Sequence, residues 1–269
     1  MKQIRLYSEN NDFQHVETLK NNRSKRQKSG EFFVEGVRNI NQALAHAFRV
    51  KALYSAVDAA LSSWASEVLE RGIAERHFLL PPALMAKLSD KHEPSELVAV
   101  LAMPEDDLAR IPAPPGARLV VVDRPSNPGN LGTLLRSCDA FQVSGVVITG
   151  HACDLYEPQV LRASMGSFFA LPVVRVPSHS GLLQWIERLR AEPEGLRILG
   201  TSANADVSVR AESFEGRCLL LFGNETSGLS AAYRALCDRI LKIEMGGSAT
   251  SLNISCAASI VLYEAFGRT

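Results

Sequence analysis

The sequence lacks the usual marks of a secreted, membrane-bound or metal-stapled protein. Its five cysteines, Cys138, Cys153, Cys218, Cys237 and Cys256, lie far apart and form no C-x-x-C pair. That spacing argues against a disulfide framework or a zinc site, and for a chain kept reduced in the cytosol with no metal. No apolar run approaches the about 18 residues that a membrane span needs, and the opening MKQIRLYSENNDF does not read as a signal peptide. Net charge is missing as well, because 29 Lys and Arg balance 29 Asp and Glu. Binding to a polyanion must therefore come from a local patch. The common nucleotide loops are absent too. In SNPGNLGTLLRSCDAF, residues 126–141, two glycines precede an apolar helical stretch, which first suggests a phosphate held on a helix start. The spacing is Gly129-x-x-Gly132, not G-x-G-x-x-G, and the later VVITGHACD reaches an acid only at Asp154. A dinucleotide oxidoreductase is set aside on that ground.

What is present is an ordinary globular composition, 46% apolar and 22% charged over 269 residues, enough for one large domain or two ordinary ones. The stretch IPAPPG, Ile111 to Gly116, has three prolines and a glycine and reads as a stiff linker. Before it, FFVEG, VKALYS and ELVAVLAM read as strands and Arg38–Phe48 and Ala59–Arg71 as helices, a small α/β module. After it, strands are expected at 119–122, 145–149, 171–176, 196–200, 218–222 and 240–243. Helices are expected at 131–141, 180–190, 230–236 and 251–266. Strands apolar throughout and separated by helices imply a mainly parallel sheet covered on both faces, with ligands beyond the carboxyl ends of its strands.

Three polar loops fall at such ends. In the first, Leu131, Leu134, Leu135, Cys138 and Phe141 form an apolar stripe, and Arg136 points away from it beside Thr133, Ser137 and Ala140. Arg136 fits a solvated surface position, and its small neighbours fit a second contact surface; Asn130 fits an N-cap. In the second, FGNETSGLS, turn formers follow a strand, and Glu225 is either a solvated loop acid or an acid paired with an arginine. In the third, Leu252–Phe266 carries apolar residues all round with only Glu264 charged, which puts it in a core or between subunits. Ser251 fits the N-cap of this helix, while Asn253 needs another partner. Near the N-terminus, Lys20, Arg23, Lys25, Arg26 and Lys28 form a dense basic run, which suits a solvated face and a phosphate backbone equally.

Taken together and in order, Asn130-x5-Arg136, then Gly223-Asn224-Glu225 with Gly228-Leu229-Ser230, then Ser251-Leu252-Asn253, resemble the three motifs of the SpoU (TrmH-type) RNA ribose 2′-O-methyltransferases of the SPOUT superfamily. RASMGSFFALPV, 162–173, is similar to another stretch of that family. The resemblance covers roughly 118–267. It implies an α/β fold, with a mainly parallel sheet ending in a deep C-terminal trefoil knot, plus a smaller N-terminal L30e-like α/β domain. It divides the chain into an RNA substrate-binding domain over 1–111, a linker over 112–117 and a methyltransferase domain over 118–269. It implies S-adenosylmethionine as cofactor, RNA (ribosomal before transfer RNA) as substrate, and a homodimer through the C-terminal domain. Carried over by position, Thr201, Ser202, Gly223, Asn224, Ile243, Met245 and Leu252 would meet the cofactor. Asn130, Arg136, Glu225, Ser251 and Asn253 would be the catalytic group, and Arg23, Lys25, Arg26 and Lys28 would grip RNA. The family assigns the arginine as general base. A guanidinium holds its proton too tightly for that, so a bidentate phosphate clamp or stabilisation of developing charge on the ribose oxygen is the preferred role. Glu225 would then hold Arg136. A noncatalytic RNA-binding protein of the ribosome or its assembly is the competing reading.

Overall fold

The computed structural model describes residues 1–89 and 93–267; residues 90–92 and 268–269, which fall within the expected domain spans, lie outside them. Two compact units result, one of Met1–Pro104 with Tyr156–Arg162, the other of Glu105–Leu155 with Ala163–Thr269.

The first unit contains β1 (Lys2–Arg5), α1 (Asn11–Asn21), α2 (Arg23–Ser29), β2 (Glu31–Glu35), α3 (Val37–Ala45), β3 (Val50–Ala56), α4 (Ser63–Glu70), β4 (Arg76–Leu80), α5 (Pro82–Leu88) and β5 (Val98–Ala102). Its sheet has the order β1-β4-β3-β5-β2, with β5 antiparallel to both neighbours. The basic run is helical. Asn10 caps α1 by accepting from the Asp12 and Phe13 amides, and Phe13, Val16 and Leu19 bury one face of that helix. Asn22 ends α1 and caps α2 by accepting from the Lys25 amide. Arg26, expected to meet RNA, is instead 3% exposed, and its Nη1 donates to the carbonyls of Leu19 (2.7 Å) and Lys20 (3.0 Å). It satisfies orphan carbonyls at the end of α1 and braces the α1–α2 corner. Arg23, Lys25 and Lys28 are exposed.

The second unit holds β6 (Arg118–Asp123), α6 (Pro128–Ala140), β7 (Gly145–Thr149), α8 (Ser167–Ala170), β8 (Val173–Val176), α9 (His179–Ala191), β9 (Arg197–Thr201), β10 (Val207–Ser208), β11 (Cys218–Phe222), α10 (Ala231–Leu236), β12 (Arg239–Lys242) and α11 (Ile254–Phe266); α7 (Pro158–Ser164) is divided between the units. Its sheet has the order β10-β12-β9-β11-β6-β7-β8, and every pairing in it is parallel. All of β6, β7 and β11 is buried, which is why those strands read as unbroken apolar runs. Leu182, Trp185, Ile186 and Leu189 of α9 pack on Leu119, Val121 and Leu219 in one cluster. The proline-rich stretch contributes to that core: Ile111 is 5% exposed, and it lies so close to Gly145 that a Cβ there would sit 2.7 Å from its Cγ2. α6 packs on α11.

Among the described residues no helix is long and apolar enough to cross a membrane, and no group of three or more metal-ligating side chains is found.

Candidate functional site

Because the sheet is parallel, the segments following β6, β9, β11 and β12 emerge from one edge, and these four strands are consecutive neighbours in it. Between them lies a cavity of about 350 Å³. Thr201 and Ser202 line it from the end of β9, and Gly223 and Asn224 from the end of β11. Ile243, Met245, Ser251 and Leu252 line it from the segment between β12 and α11, and Glu225 lines it from the loop after β11. Asn130, Arg136 and Asn253 lie outside this wall.

The wall from 223 to 230 is folded tightly on itself. The Asn224 Oδ1 accepts from the Thr226 (3.0 Å) and Ser227 (3.1 Å) amides, and the Asn224 and Gly228 backbones exchange two hydrogen bonds. Gly223 is required by proximity, since a Cβ there would lie 2.1 Å from the Leu229 amide nitrogen. The loop is tied to β6 by residues that sequence reasoning missed. Asp123, 1% exposed, accepts from the Ser230 amide (3.1 Å) and from Arg124 Nε (3.1 Å) and Nη2 (3.0 Å). Arg124 also donates to the Gly228 carbonyl (3.3 Å), and its own carbonyl accepts from Asn224 Nδ2 (2.8 Å). The signal was available: Asp123-Arg124 follows an apolar strand in the same way as Glu225 does.

Glu225 does not pair with Arg136. Its Oε2 accepts from the Ser126 amide (3.0 Å) and hydroxyl (2.8 Å), and its Oε1 from the Asn127 amide (3.2 Å) and Asn130 Nδ2 (3.4 Å). Partial burial pushes its pKa up, but hydrogen bonds from its own amide, Ser126 and Asn127 outweigh that and hold the carboxyl below the ordinary glutamate range. It is therefore ionised at neutral pH and staples the β11 loop to the head of α6.

Both expected caps are displaced. α6 begins three residues before its apolar stripe, with Pro128 in its first turn and Asn127 as N-cap, its side chain accepting from the Asn130 amide at 3.0 Å. Asn130 is thereby freed for the site. In α11 the N-cap is Asn253, not Ser251, and it accepts from the Ser255 amide at 2.8 Å. Asn253 Nδ2 donates to Asn130 Oδ1 at 2.8 Å, so Asn253, Asn130 and Glu225 form one hydrogen-bonded chain across the three loops.

Arg136 is exposed on the outer face of α6, beside exposed Thr133 and Ala140, and makes no hydrogen bond or ion pair among the described residues. α11 buries Ala258, Val261, Leu262 and Ala265 but leaves Ile260 (38%), Tyr263 (64%) and Phe266 (41%) exposed, and Phe141 of the α6 C-cap packs against Tyr263 and Phe266.

Comparison with known proteins agrees with this architecture. The SpoU rRNA Methylase family matches residues 117–263, and the SpoU L30e-like domain matches residues 10–99. A 23S rRNA (uridine(2479)-2′-O)-methyltransferase of Streptomyces viridochromogenes is 44% identical over 262 residues, 97% of this chain and 91% of that protein. The 23S rRNA (guanosine(2553)-2′-O)-methyltransferase RlmP of Bacillus subtilis is 29% identical, over 91% of this chain and 92% of that protein. Among solved structures, the SpoU methyltransferase AviRb from Streptomyces viridochromogenes in complex with the cofactor AdoMet superposes with a TM-score of 0.91 and 44% identity, covering 96% of this chain and 97% of that one.

Proposed function

The chain belongs to the SpoU rRNA methylase family, and on that premise we propose that it transfers a methyl group from S-adenosylmethionine to a ribose 2′-hydroxyl of ribosomal RNA. One observation carries the reading: all seven residues expected to meet the cofactor line a single cavity at the carboxyl edge of the sheet. Its volume of about 350 Å³ lies within the range of small-molecule sites. Its wall is rich in Gly, Ser, Thr and Asn, whose backbone groups would suit an adenosine, and Gly223 lets the 228–229 backbone close on the wall where a side chain would not fit.

Bound there, the cofactor supplies an electrophilic methyl on a sulfonium. The chain's own work is to hold the ribose hydroxyl in line and to stabilise the charge that develops on its oxygen. Asn130 and Asn253 fix that geometry in this reading, and their hydrogen bonds to each other and to Glu225 support it. Ser251 lies on the same wall. Arg136, outside the cavity and unpaired among the described residues, acts as a clamp on the target phosphate or on the developing oxyanion rather than as a base.

The reading extends to a homodimer through the C-terminal domain and to a knotted C-terminal segment, as in the family. The exposed apolar side of α11 and the small-residue side of α6 support the dimer. The first unit is the RNA-gripping domain, through Arg23, Lys25 and Lys28.

Two measurements test the proposal. Calorimetry with S-adenosylmethionine should show uptake, and mapping of 2′-O-methyl groups in RNA from cells with and without the gene should show one ribosomal position that depends on it. No uptake and no lost position would leave the noncatalytic RNA-binding reading.

A further inference from the structure

Among the residues that line the cavity, two carry charged side chains, Glu225 and Arg234. Their situations are opposite. The Glu225 oxygens are committed to donors from Ser126, Asn127 and Asn130. Arg234, on α10, makes one weak contact, from Nη2 to the Ser202 hydroxyl at 3.4 Å, and has no ion pair among the described residues. The same Ser202 hydroxyl accepts from the Asn204 amide at 3.3 Å. α10 is held in place from below: Ser230 caps it by accepting from the Tyr233 amide, and Tyr233 is 5% exposed.

Arg234 is solvent-exposed, so water satisfies its free N–H donors. Its place on the cavity wall leaves those donors available to an anionic group of a ligand bound there, and a carboxylate matches its planar fork. The ligand proposed for this cavity is cationic at sulfur and at its amino group, so an uncompensated arginine would repel both. It carries one anionic group, the carboxylate of its methionyl end. We propose that Arg234, oriented by Ser202, is the residue that binds this carboxylate, and that it sets the cavity's preference for the intact amino-acid tail over truncated thioadenosines. This inference rests on the methyltransferase reading. The same guanidinium chemistry would also serve an RNA phosphate. The shared wall with Thr201, Ser202 and Gly223 favours the cofactor.

The experiment uses the full chain and three probes: S-adenosylmethionine, S-adenosylhomocysteine, and 5′-methylthioadenosine, which lacks the amino-acid tail with its carboxylate and α-ammonium. Titration calorimetry on Arg234→Gln should show S-adenosylmethionine and S-adenosylhomocysteine weakened about tenfold or more, the size of a lost charge-assisted contact, with 5′-methylthioadenosine unchanged. Arg234→Lys should fall between, since it keeps the charge and loses the fork. Unchanged 5′-methylthioadenosine binding also reports that the variant is folded. Equal weakening of all three probes, or of none, overturns the assignment. So does a loss confined to RNA affinity, which would make Arg234 a phosphate contact. A wild-type chain that binds none of the probes would refute the methyltransferase reading itself. A wild-type chain that binds them while Arg234→Gln binds them equally well refutes this inference alone.

Discussion

Gly223 offers the sharpest test of how the cavity is built. Its backbone is not in the left-handed region, so conformational freedom is not what requires glycine there. Space is. A Cβ would meet the Leu229 nitrogen at 2.1 Å, the Gly228 carbonyl carbon at 2.2 Å and the Gly228 oxygen at 2.6 Å, all of them backbone atoms that no rotamer change can move. In Gly223→Ala the 228–229 segment must retreat by roughly 1.3 Å to regain ordinary contact. That retreat pulls on the Arg124–Gly228 and Ser230–Asp123 hydrogen bonds and on the Asn224–Gly228 pair. Overpacking of this kind costs about 1–3 kcal/mol, which corresponds to about five- to 150-fold in affinity if borne by the wall on binding. Calorimetry with S-adenosylmethionine should show a loss in that range. The melting temperature should fall by less than about 10 °C, because the cores lie elsewhere. Gly246→Ala is the control: a Cβ there meets nothing within 4 Å, and binding should stay within about twofold of wild type. Wild-type affinity in Gly223→Ala would refute the reasoning, and an equal loss in Gly246→Ala would show that steric closure of the wall is not the cause.

Glu225 has a depressed carboxyl pKa, so the stapling it provides is present above the ordinary glutamate range and is lost only as pH falls through its lower folded value. Cofactor affinity should therefore be flat between about pH 6 and 8 and fall only in acid, and Glu225→Gln should bind weakly across the whole range; a wild-type transition near neutrality would contradict this. Arg136→Ala should abolish methyl transfer while leaving cofactor affinity unchanged, because Arg136 does not line the cavity. A pH–rate profile with a single ionisation below about pH 8 that vanishes in this variant would instead make it a base. In the first unit, Lys25→Ala with Lys28→Ala should weaken RNA binding and flatten its salt dependence. Arg26→Ala should act differently, lowering the melting temperature through the lost brace on the Leu19 and Lys20 carbonyls, so a melting point equal to wild type would count against that role. Tyr263→Glu should shift the chain towards monomer in sedimentation, and an unchanged oligomer would remove α11 from the interface.

The second unit was legible in the sequence because its strands are buried on both sides and so read as unbroken apolar runs. The expected strand at 145–149 coincides with β7 and that at 218–222 with β11, and the loops after β6, β11 and β12 announced themselves as polar chemistry at strand ends. Helix starts were less legible. Apolar periodicity marks where a helix first touches the core, at Leu131, not where its backbone bonding begins, at Pro128, so Asn130 looked like a cap when Asn127 is one. The first unit lost more. β1, α1, β4 and α5 were not anticipated, and α2 was read only as a charged run, because its residues RSKRQKS carry no apolar stripe to mark a helix. The burial of Arg26 could not be seen at all: nothing in a basic run distinguishes the arginine that turns inward to carbonyls from those that face water. The partner of Glu225 was misjudged for a related reason. An acid after a strand invites an arginine, whereas backbone amides at a helix head bind carboxylates equally well and leave no mark in the sequence.

The carboxylate of Glu225 has a thermodynamic consequence beyond its geometry. It belongs to the cavity wall, yet its hydrogen bonds are to the residues that begin α6, the helix that presents Arg136 outward. A ligand that ordered the wall through this carboxylate would also order the start of that helix, and one that ordered the helix would order the wall. Whatever free energy one occupant contributes to the other's binding is returned in equal measure. The cavity wall and the head of α6 are then linked through Glu225 and through the Asn253–Asn130 hydrogen bond, and any coupling between their ligands is the same in either order of binding.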